Sequence, residues 1–189
     1  MSINSTVVQH SLVRRLFWWV LILPAIMIYG LVSKNLAVLD FSHVMSASLW
    51  TGTDVFLGFF LGPVLKKLLP EQRKAVIHWM VPKTMLYIPV LAFTAGTSGW
   101  YIAMWEGLTK FGNPMHVWLL VAFIVVMILM IQGLGIMLPN SIRIYLEFQK
   151  EQPDFKKIFR LNKVSNVVAG LQGAFQIAII IVMVHIAIG

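Results

Sequence analysis

Five stretches of mainly apolar residues, separated by short polar connections except for an amphipathic stretch of about 25 residues between the last two, constrain this chain more than any motif in it. They run over about 12–32, 41–65, 84–105, 116–138 and 164–188. A helix needs about 20 such residues to cross a hydrocarbon core about 30 Å thick. Inside that core each segment must satisfy its own backbone hydrogen bonds, so only helices and closed barrels can span it. No stretch alternates apolar and polar residues as a barrel strand does. The expected fold is therefore all-α: an integral membrane helical bundle of five transmembrane helices, with residues 1–189 forming a single transmembrane domain. Only 12% of residues are charged and 59% are hydrophobic, against about 25% charged in soluble domains. This excludes a soluble enzyme, a disordered chain and an ordinary nucleic-acid binder, despite the net charge of +8. The absence of cysteine excludes disulfides, iron–sulfur clusters, thiolate zinc sites and a cysteine nucleophile.

The 15 Lys and Arg residues set the expected orientation. With five spans, Arg14, Arg15, Lys66, Lys67, Arg73, Lys74, Lys83, Arg143, Lys150, Lys156, Lys157, Arg160 and Lys163 fall on one side. Only Lys34 and Lys110 fall on the other. Basic residues collect on the cytoplasmic side, so a multi-pass inner (cytoplasmic) membrane protein is expected, with its N-terminus cytoplasmic and its C-terminus external. The basic face should also favour anionic lipid headgroups. The first span has the basic flank and apolar core of a secretory signal. However, its core is long, Pro24 interrupts it, and no small-x-small cleavage site follows before Asp40. It reads as a retained helix. With no ionisable residue between Arg15 and Lys34, it is expected at the edge of a four-helix core, facing lipid.

The second span brings ionisable groups into the membrane. At about 100° per residue, Ala47, Trp50 and Asp54 lie within about 40° of His43, and Ser46 and Gly58 flank the same stripe. This polar, small-residue face is expected to point inward. Asp54 lies about 16 Å deeper than His43 at a 1.5 Å rise per residue. An ionisable group at that depth is costly and is by default a functional candidate; the structural alternative is a buried carboxyl that joins helices. Gly58-x-x-x-Gly62 before Pro63 allows close helix approach.

The histidines divide by level. His10 and His78 fall on the basic side, whereas His43, His116 and His185 all fall near the external surface because alternate spans run in opposite directions. Neutral imidazole ligates haem iron, copper or zinc, although histidine also collects at interfaces because its ring is amphipathic. Met45, Met115 and Met183 lie one or two residues from these histidines, and thioether with imidazole suits Cu(I). Residues two apart on a helix diverge, so His43 with Met45, or Met183 with His185, cannot chelate one ion within a regular helix. The other polar residues are neutral: Thr94, Thr97, Ser98 and Tyr101 in the third span, Gln132 in the fourth, and Asn162, Asn166 and Gln176 on one face of the fifth, with Gln172 at its edge. They suit hydrogen bonding between helices.

The stretch from His43 through Trp50-Thr51-Gly52, continuing as Phe59-Phe60-Leu61-Gly62-Pro63-Val64-Leu65, resembles the first core helix of a group of small bacterial membrane proteins. The group contains the copper-resistance protein D family, HemJ-type protoporphyrinogen oxidases and uncharacterised relatives. The shared pattern is a His at the outer end, a Trp-x-Gly, and a Pro before basic residues. The resemblance implies a four-helix core and carries the family's haem-ligating histidine onto His43. The N-terminal span is additional to that pattern, and no lysine matches the oxidases' catalytic one. The expected function is haem b binding near the external face, in electron transfer or as a redox subunit of a membrane complex, with quinone as a possible electron partner. Candidate cofactor-binding residues are His43, His116, His185 and Trp50. His43, His116 and His185 are the candidate metal ligands, and Asp54 and Gln176 are the intramembrane polar pair to watch. Two other readings stand beside this one: a copper-handling membrane protein, and a non-catalytic accessory subunit packed against other membrane subunits or a second copy.

Overall fold

A computed structural model describes residues 17–188. His10, Arg14, Arg15, the opening of the first expected span and Gly189 lie outside the described residues. All regular structure among the described residues is helical: α1 (Trp18–Val32, opening with a 3₁₀ turn), α2 (Leu36–Lys67), α3 (Pro70–Trp105), α4 (His116–Glu147) and α5 (Phe155–Ile188). Helices α2 to α5 are long and apolar enough to cross a membrane; α1 is shorter over its described part.

Local chemistry sets the boundaries. Lys34, at φ +51°, turns the chain out of α1, and Asn35 then caps α2 by accepting the Val38 N–H at 3.2 Å. Pro70 opens α3, where a missing N–H costs nothing. Asp154 caps α5, with Oδ1 accepting the Lys157 N–H at 3.0 Å. Helices α3, α4 and α5 have 36, 32 and 34 residues, or about 54, 48 and 51 Å at 1.5 Å each. They therefore outrun the hydrocarbon core, and their extra turns lie at the basic end. The amphipathic stretch between the last two expected spans is the end of α4 and the start of α5, joined across 148–154.

Each of α2 to α5 packs on its sequence neighbour, and α5 returns to α2, closing an antiparallel four-helix bundle. Helix α1 lies outside this core against α2 and α3, with only Val20 and Gly30 buried among its described residues. The four-helix core with a peripheral N-terminal helix is thus as the sequence implies.

Where α2 crosses α5, the two backbones touch. A Cβ on Gly58 would lie 2.2 Å from Gly170 Cα, and one on Gly173 would lie 2.9 Å from Val55 Cγ2. Two helices carry a π turn, Phe56–Leu61 in α2 and Gly133–Met137 in α4, each shortly before a proline (Pro63, Pro139).

Candidate functional site

Of the inward stripe expected on α2, Trp50, Asp54 and the flanking Ser46 are buried, together with Leu39 and Ser42, while His43, Ala47 and Gly58 are half-buried, so the buried face is turned toward Ser42 and Ser46. The ring of His43 is held by α3. Nδ1 lies 2.9 Å from Ala95 O and 3.4 Å from Ser98 Oγ. A carbonyl can only accept, so Nδ1 carries a proton, and in the neutral ring the lone pair is then on Nε2. Among the described residues Nε2 has no hydrogen-bond partner. The seat exists because Gly99 has no side chain: a Cβ there would lie 2.6 Å from His43 Cε1. Ala95, Ser98 and Gly99 form an i, i+3, i+4 group of small residues on α3. The spacing marks a small-residue face but not which side chain it receives, so sequence reasoning did not find the seat.

Asp54 is fully buried and accepts the Gln176 amide N–H at 3.1 Å through Oδ2, which joins α2 to α5. The Trp50 indole N–H, one turn earlier, approaches the same carboxyl without reaching hydrogen-bond geometry. Gln172 is also fully buried, deeper than its expected place at the edge of the polar face. It donates to Leu129 O of α4 at 2.6 Å, next to the π turn, and Gly133 leaves room for its amide.

These bonds leave much of the interior polarity unanswered. Ser46 Oγ, Trp50 Nε1, Asp54 Oδ1, Gln132 Oε1, Gln172 Oε1 and Gln176 Oε1 are buried with no hydrogen-bond partner among the described residues. Buried polar atoms are normally paired, so this concentration on α2, α4 and α5 marks the bundle's polar centre. Trp50 also forms part of a cleft between α3 and α4, beside Pro89, Leu129 and Gly133, of about 420 Å³ counted out to its mouth.

The other two candidate histidines are placed separately. His116 begins α4; its Nδ1 lies 3.2 Å from Leu108 O in the preceding loop, and its ring packs on Phe111. His185 is exposed and lies against Trp118, with ring centroids 4.4 Å apart. It therefore points away from the buried Gln176, as the half-turn between them requires. All three histidines are at the end opposite most of the basic residues, but each is held by a different contact. Among the described residues, no three His, Asp or Glu side chains form a group that could hold a metal ion.

At the basic end, Glu147 is buried and accepts from Lys157 at 2.8 Å and Lys150 at 2.9 Å. It lies nine residues beyond Leu138, outside the apolar span. The two lysines, Lys157 foremost, lower its carboxyl from the ordinary 4.5 to about 2. Sequence reasoning had not singled out Glu147.

No protein-family model, curated protein or solved structure matches this chain.

Proposed function

We propose that this chain is an inner-membrane redox protein that holds haem b near one membrane face through Nε2 of His43, exchanging electrons with quinone or a partner subunit. The fixed tautomer of His43 carries this reading. A ligating imidazole needs a neutral ring, a free nitrogen and an acceptor on its other N–H to hold the ring's direction. His43 supplies the last two: Nε2 has no hydrogen-bond partner among the described residues, and Ala95 O is the acceptor for Nδ1–H. The resemblance of residues 43–65 to the haem-binding group supports the same assignment. Bound haem would supply one-electron chemistry; the chain would supply the ligand, its orientation and an apolar surround. In the proposed orientation the basic end is cytoplasmic and the three-histidine end external. Cysteine labelling at Ser2 and Gly189 tests that orientation: external labelling at Ser2 overturns it.

The test of the function is an absorbance spectrum of the purified protein supplied with haemin. A Soret band that shifts on dithionite is expected, and His43→Ala should lose it while keeping its helical circular dichroism. Full haem retention in His43→Ala removes His43 from the site. A colourless protein overturns the reading, in favour of copper handling if it holds Cu(I) and of an accessory subunit if it holds no metal. His116→Ala and His185→Ala, recorded separately, identify the second ligand as whichever loses the low-spin signature alone.

A further inference from the structure

The basic end carries a feature that the redox reading does not use. Lys66 of α2, Arg73 of α3 and Lys163 of α5 line one groove, with Gly58, Gly62 and Asn166 beneath them. The groove encloses about 390 Å³ counted out to its mouth, and no carboxylate lines it. Nearby acids are engaged elsewhere: Glu71 pairs with Lys74 at 3.9 Å, and Glu147 with Lys150 and Lys157. Three cations from three helices therefore face one space without a counter-charge. Like charges gathered in this way repel one another, and an anion placed between them relieves that repulsion.

Arg73 is positioned for such an anion. Its guanidinium carbon lies 4.3 Å over the Phe159 ring, which fixes the group while its N–H donors remain available. Its Nε is buried and has no hydrogen-bond partner among the described residues. The groove also has depth. Gly58 and Lys66 are eight residues apart, about 12 Å along the helix, so it runs from the charged level into the apolar span. Its floor is where α2 and α5 come close: a Cβ on Gly62 would stand 3.4 Å from Asn166 Cβ. A charged head and an apolar tail in line describe an amphiphile.

We propose that this groove binds one anionic phospholipid, with its phosphate at Lys66, Arg73 and Lys163 and an acyl chain along Gly58, Gly62 and Val167. The shared chemistry is a phosphate anion, so the test must separate a lipid headgroup from free phosphate. Native mass spectrometry of the full chain in detergent, titrated with phosphatidylglycerol, phosphatidylcholine or inorganic phosphate, does so. One phosphatidylglycerol should be retained per chain; phosphatidylcholine should not be, and inorganic phosphate at equal concentration should not displace it. At about a fivefold effect per basic residue, Lys66→Gln/Arg73→Gln/Lys163→Gln should weaken retention about a hundredfold. Lys83→Gln/Arg143→Gln/Lys156→Gln removes the same charge at exposed positions outside the groove and should retain the lipid. Equal loss in both triple variants overturns the proposal in favour of diffuse charge attraction. Displacement by inorganic phosphate overturns the lipid assignment. Should Arg73→Gln disturb folding, Lys66→Gln/Lys163→Gln, both at exposed side chains, applies the same test, with about a twenty-five-fold loss expected.

Discussion

In the middle of the bundle, α2 and α5 meet backbone to backbone at Gly58 and Gly170, and buried Asp54, Gln172 and Gln176 reach between helices. At the basic end, Leu65, Ile77, Val81, Ile144 and Ile158 form an apolar cluster, and Glu147 fastens the α4–α5 turn through two lysines. The difference follows from the surrounding medium. Between lipid-exposed helices there is no water to expel, so association depends on close packing and interhelical hydrogen bonds. Where the helices outrun the hydrocarbon, water is present, and burying Leu and Ile is again the main driving force. Apolar side chains around Trp50, Leu91 and Leu129 fill the centre as well, but there they act through close packing rather than through the expulsion of water.

Substitutions in each region can break this comparison. The largest effect is expected for Gly58→Leu. Its Cβ would meet the backbone of Gly170 rather than a flexible side-chain end, so α2 and α5 must separate. Loss of monodisperse protein on size exclusion is expected; a well-behaved variant with an unchanged melting point would show that the crossing does not hold the bundle together.

A smaller effect is expected at the polar pair. Asp54→Leu leaves the buried Gln176 donor unpaired, at a cost of about 1–3 kcal/mol. Asp54→Leu/Gln176→Leu removes both partners and should cost less than the sum of the two single changes. Thermal or denaturant unfolding of the four species in detergent checks this, and strict additivity would mean that the pair does not interact.

Glu147→Gln should lower the melting point by less, because Lys150 and Lys157 are partly exposed and can turn to water. Its pH signature is specific. The folded carboxyl titrates at about 2, below its ordinary 4.5, so its contribution is complete above about 4.5 and is lost as pH falls through 2. Melting curves between pH 6 and pH 2 should show that acid loss in the parent and not in Glu147→Gln. The smallest effect is expected for Gly96→Ala, where a Cβ meets nothing within 4 Å. A measurable destabilisation there would mean that glycine acts through more than space.

The spans and much of the inward stripe of α2 were legible because they rest on length and on the 3.6-residue period, which lipid and burial enforce directly. His43, Trp50 and Asp54 could be singled out for the same reason. The seat of His43 was not legible, because it depends on which turn of α3 stands opposite, and no local pattern encodes that register. The continuation of α4 and α5 beyond their spans was hidden for a different reason: residues 139–163 are polar enough to read as a connection, and only their packing on α3 makes them helical ends. Gln172 reads as an edge residue on a uniform wheel, yet it is buried against the π turn of α4.

Those π turns bear on how this chain can be aligned with others. A π turn holds one residue more than the α turn it replaces. Any protein whose corresponding helix is uninterrupted would therefore need a one-residue gap against Phe56–Leu61, and another against Gly133–Met137, inside what hydropathy shows as unbroken spans. An alignment that forbids gaps within spans would fit one half of each helix and put the other half out of phase by about 100°. Equivalent residues would then seem to lie on different faces, and a sequence match to a true relative would fade midway along α2 and α4.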